Sequence, residues 1–71
     1  MEILVFKTNI RYKKNVSSIM PHMQSVTGIM EWNVDLQDKD KILRVKTLNV
    51  IPASIENVVQ GAGYFCEELQ D

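Results

Sequence analysis

Few residues in this chain could do chemistry. Met20, His22 and Met23 lie close together in sequence, and Cys66 is the one thiol. Thioether, imidazole and thiolate are soft or borderline metal donors. Each also has a plainer role: Met20 and Met23 as core fillers, His22 as an exposed titrating side chain, Cys66 as a small buried hydrophobe. A lone cysteine excludes an internal disulfide, and no two-pair metal spacing is present. A second group is cationic. Lys7, Arg11, Lys13 and Lys14 cluster in one short region, while Glu67, Glu68 and Asp71 close the chain. Such a cluster is either a solvated loop or a docking patch whose field steers an acidic protein partner. One histidine and scattered carboxylates form no nucleophile–base pair visible from spacing. Gly61-Ala62-Gly63 closes a helix rather than opening a phosphate loop. No residues support an enzyme.

The elements that must position these groups follow from periodicity. Glu2–Thr8 is rich in β-formers and reads as a strand, with apolar residues on both parities. From Val16 the period becomes helical, and Val16, Ile19, Met20, Met23 and Thr27 make one apolar stripe. Asn15 is the N-cap candidate and Gly28 the stop, with a kink or loosening expected near Ser17–Pro21. Met30, Trp32, Val34 and Leu36 alternate with Glu31, Asn33 and Asp35, a half-buried strand. A polar connection, Gln37–Asp40, joins it to a second alternating run from Lys41 to Thr47. There Leu43 and Val45 face the core, with Ile42, Arg44 and Lys46 on the opposite side. Pro52 opens a second helix with Ile55, Val58, Val59 and Ala62 as its stripe. Residues 64–69 form a short last strand before a frayed tail. The order β-α-β-β-α-β predicts an α+β, ferredoxin-like domain with two helices on one face of a four-stranded antiparallel sheet.

At 71 residues the chain is one domain, 1–71. A net charge of −1 argues against nucleic acid as a partner. The third strand also lacks the exposed aromatics of RNA-binding modules with this topology. No run approaches the length of a membrane span, and Ile3–Phe6, preceded by Glu2, is too short for a signal peptide. A free thiol suits a reducing cytoplasm, the expected location.

Several blocks together resemble the heavy-metal-associated (HMA) domain of copper chaperones and metal-pumping ATPases. They are Phe6-Lys7-Thr8-Asn9-Ile10, Gly28-Ile29, Val34-Asp35-Leu36, Val45 and Ala62-Gly63-Tyr64, in order over nearly the whole chain. The resemblance implies a Cys-x-x-Cys metal pair on the first loop, but those positions fall on Tyr12 and Asn15, with Lys13 and Lys14 between. A phenol and a neutral amide are poor ligands for a soft ion. The resemblance also places Tyr64 beside that loop. The expectation is a non-catalytic, HMA-like interaction or accessory module with no bound metal, monomeric or weakly dimeric. The alternatives are a carrier of Cu(I) or Zn(II) on ligands rebuilt from Cys66, His22, Met20 or Met23, and a domain that self-associates through an edge strand or the open sheet face.

Overall fold

In the computed structural model, which describes residues 1–69, β1 (Glu2–Thr8) leads into α1 (Lys13–Gln24) and β2 (Ile29–Asp35). Then follow β3 (Ile42–Thr47), α2 (Pro52–Gly61) and β4 (Cys66–Glu68). Gln70 and Asp71, where fraying was expected, lie outside the described residues. The sheet order is β2-β3-β1-β4, antiparallel throughout. This is the ferredoxin-like arrangement read from the order of elements.

Register explains the core. Leu4 faces Val45 and Phe6 faces Leu43 across β1 and β3, while Trp32 and Val34 oppose the same two β3 residues from the other side. These rows meet Ile19 and Met23 of α1 and Ile55 and Val59 of α2 in one apolar cluster. Each such large side chain contributes roughly 1.5–3 kcal/mol through removal from water.

Several details differ from the sequence expectation. α1 starts at Lys13 with Tyr12 as its N-cap, so Asn15 lies inside the first turn. Pro21 stands within this helix. The carbonyl it leaves unpaired belongs to Ser17, which is exposed and can be hydrated. The helix ends at Gln24, where the Ser25 N–H bonds back to the His22 carbonyl and the Val26 N–H to the Met23 carbonyl, both at 3.2 Å. Thr27 therefore falls in a turn. Gly28 (φ +103°) does not stop the helix but admits the chain to β2, its carbonyl accepting the Leu48 N–H at 2.8 Å.

Met30 does not face inward. A register shift between Ile29 and Glu31 inserts one extra residue, which reverses parity and leaves Met30 57% exposed. Met20 lies 44% exposed at the margin of the helical stripe rather than in the core. Ile42, expected on the open sheet face, is buried beside Asp35 of β2, whereas Arg44 two residues further along β3 is exposed. The last strand is shorter than expected, and Tyr64 and Phe65 precede it. Pro52 does occupy the start of α2.

Candidate functional site

The first loop is held from both sides. Thr8 pairs its backbone N–H with the Asp40 carbonyl at 3.1 Å, and its hydroxyl donates to the Lys41 carbonyl at 2.5 Å. The same hydroxyl oxygen accepts the Ile10 N–H at 3.2 Å, and Ile10 itself is fully buried. Asn9 accepts the Phe65 N–H through Oδ1 at 2.9 Å. The β2–β3 connection and the approach to β4 thus fix residues 8–10.

Tyr12 has extended backbone geometry and gives no side-chain cap. Asn15 performs that role in reverse, its Oδ1 accepting the Tyr12 N–H at 3.0 Å. Its Nδ2 donates to the Tyr64 hydroxyl at 3.2 Å, and that hydroxyl is also hydrogen-bonded to Ser18 Oγ at 2.9 Å. Both ends of the Asn15 amide are engaged. The Tyr12 ring is exposed, with the Lys14 ammonium 5.7 Å from its centroid, within cation–π range.

The soft donors separate in space. Met23 and Cys66 are in the core, Met20 borders a groove between α1 and β2, and His22 is exposed in the last turn of α1. Burial, and then the nearby Glu56 carboxylate, push the Cys66 thiol up to about 12. At neutral pH it is a thiol, whereas the thiolate is the metal-binding form. Among the described residues no three of His, Cys, Asp and Glu come together as a metal-holding group.

The cations near the first loop are placed differently. Arg11, Lys13 and Lys14 are exposed, Lys13 borders the groove between α1 and β2, and Lys7 stands 3.8 Å from Asp40. Lys39 and Lys41, which the sequence reading did not single out, join Arg11. With Thr8, Asn9, Arg11 and Tyr12 they line a recess of about 460 Å³. Lys41 also donates to the Leu36 carbonyl at 2.7 Å. No local signal marks these two lysines, because the bonds from Thr8 to the hairpin are what bring them to the loop. The Ser18–Tyr64 bond was missed for the same reason, since 46 residues separate the pair.

The yeast copper transporter domain Ccc2a, solved in apo and Cu(I)-loaded states, matches this structure with a TM-score of 0.84. Identity is 18%, over 100% of this chain and 99% of that one. The chain has the heavy-metal-associated fold. The N-terminal domain of PacS from Synechocystis matches with a TM-score of 0.81 at 20% identity, covering 99% of this chain and 100% of that one. The N-terminal domain of ZntA in its Zn(II) form also gives 0.81 at 20%, over 96% of this chain and 92% of that one. No family model and no curated protein sequence matches the chain. At such identities the HMA likeness is one of fold, and site chemistry rests on the residues actually present. No helix among the described residues is long and apolar enough to cross a membrane.

Proposed function

We propose that this chain is a non-catalytic HMA-like domain that has lost the metal pair of its fold relatives and binds an acidic protein partner through its cationic first loop. In this reading it is an interaction or accessory module beside heavy-metal transport. The observation that carries the proposal is the engagement of Asn15 by the Tyr12 N–H and the Tyr64 hydroxyl. A hydrogen-bonded amide and an exposed phenol do not suit a soft cation such as Cu(I). Lys13 and Lys14 between them add two positive charges that repel one. The same charges, with Arg11 and Lys39, favour carboxylates on a partner surface.

Titration of the reduced protein with Cu(I) and with Zn(II), followed by amide NMR, tests the proposal. The expected result is no saturable one-to-one binding and no localised shifts at residues 12–15. Tight stoichiometric binding abolished by Cys66→Ser or His22→Ala would instead establish a carrier with rebuilt ligands. Zn(II) and Cu(I) are the ions to try because the fold neighbours are named with them.

A further inference from the structure

The recess beside the first loop presents mainly hydrogen-bond donors. Arg11, Lys39 and Lys41 line it together with Thr8, Asn9 and Tyr12, and no carboxylate does. The acids of the neighbouring turn are occupied: Asp40 stands 3.8 Å from Lys7, and Asp38 Oδ1 accepts the Asp40 N–H at 2.8 Å. Among the described residues neither Arg11 nor Lys39 has an ion pair. The Thr8 hydroxyl is engaged with Ile10 and Lys41, and Asn9 Oδ1 with the Phe65 N–H, which leaves Asn9 Nδ2 to donate. Lys41 is held at φ +48°, left-handed backbone that favours glycine or asparagine, and donates one ammonium proton to the Leu36 carbonyl. The turn thus keeps a third cation at a position where its backbone is strained. Three like charges in one recess repel each other until an anion sits among them.

We infer that this recess seats a phosphoryl group carried on a side chain of the acidic partner. The inference rests on the acidic-partner reading and names the group that anchors it. A carboxylate brings a single charge, whereas a phosphorylated side chain brings about −1.5 to −2 and three strong acceptor oxygens. That demand matches what the recess holds. Arg11, Lys39 and the Asn9 amide supply a donor group for each oxygen, and Lys41 adds charge. At about 460 Å³ the recess also admits the side chain that bears the phosphoryl. It is preformed, because the Thr8 N–H bond to the Asp40 carbonyl and the Thr8 hydroxyl bond to the Lys41 carbonyl tie the turn to the loop. Lys13 and Lys14 do not line the recess and remain available to acidic residues flanking the anchor.

Amide NMR of the full chain tests this at constant ionic strength. The probes are a tripeptide with phosphoserine between two glycines, its glutamate counterpart, inorganic phosphate and pentaglutamate. The phosphopeptide should bind saturably with a Kd on the order of 1 mM and shift Asn9, Arg11, Tyr12, Lys39 and Lys41. The glutamate tripeptide should bind about fivefold more weakly or worse. Arg11→Gln and Lys39→Gln should each weaken the phosphopeptide by about fivefold, and both residues are exposed, so folding is preserved. Lys46→Gln removes the same charge from the open sheet face, where it stands 3.9 Å from Glu31, and should change affinity by less than about twofold. Equal affinity for the two tripeptides, or equal losses in all three variants, overturns the inference. Inorganic phosphate that binds as tightly as the phosphopeptide also overturns it, by showing a site for the free ion. Pentaglutamate that binds while the phosphopeptide does not overturns it and leaves the acidic-partner reading standing. No response to either overturns both.

Discussion

Asn15 shows how one side chain decides what a loop can do. The sequence pattern marks it as a helix cap, and its chemistry is that of a cap, but it acts from inside the first turn by reaching back to Tyr12. Its other end meets Tyr64, whose hydroxyl also binds Ser18. Tyr64→Phe removes both contacts to the hydroxyl. Ser18 is exposed and can be rehydrated, so the expected cost is about 1 kcal/mol, or roughly 4–8 °C in melting temperature. Differential scanning calorimetry of the two proteins checks it. A wild-type melting temperature in Tyr64→Phe would mean the network contributes nothing to holding the loop. The resemblance placed Tyr64 near the loop, but its partners could not be named from sequence because they come from α1, 46 and 49 residues earlier in the chain.

At the scale of elements, the boundaries of α1 moved most. Helical spacing identified α1, but Asn15 and Gly28, both good punctuation residues, suggested ends that the backbone does not use. Gly28 has a different duty. With φ at +103°, an added Cβ would lie 2.5 Å from the Leu48 carbonyl oxygen and 2.7 Å from Val50 Cγ2. Gly28→Ala therefore combines left-handed backbone strain with a clash against main chain. It should destabilise the fold by about 2 kcal/mol or more, measured as a lower urea midpoint at unchanged slope. Gly61→Ala is its control, because a Cβ there meets nothing within 4 Å and Gly61 is helical. That substitution should be neutral or slightly stabilising. The bulge in β2 was equally illegible, since alternation continues through Met30 and only the pairing with β3 shows the extra residue.

For the molecule as a whole, the buried thiol links folding to pH. Cys66 is 2% exposed, and its pKa rises from 9.0 to about 12 on folding. Between these values the unfolded chain has lost a proton that the native chain keeps, so stability falls as pH rises. This contribution is complete below pH 9.0 and is lost progressively towards about 12. Urea unfolding of wild type and Cys66→Ala at pH 7.5, 9.5 and 10.5 isolates it (approximate settings chosen around that window). The stability gap between the two proteins should shrink as pH increases. A gap independent of pH would show the thiol to be more solvated than its burial indicates. The cationic end belongs to this scale too, since it is assembled from the first loop and a hairpin far along the chain.

The sequence by itself determined the number, type and order of the elements, because alternation and helical spacing record which side of each segment avoids water. It also determined the absence of a cysteine pair on the first loop, which is a matter of composition. Only the tertiary structure decided that Asn15 meets Tyr64, that Met30 turns outward at the β2 bulge, and that Lys39 joins Arg11. These facts depend on contacts between segments distant in sequence. Local periodicity carries no information about which of them meet.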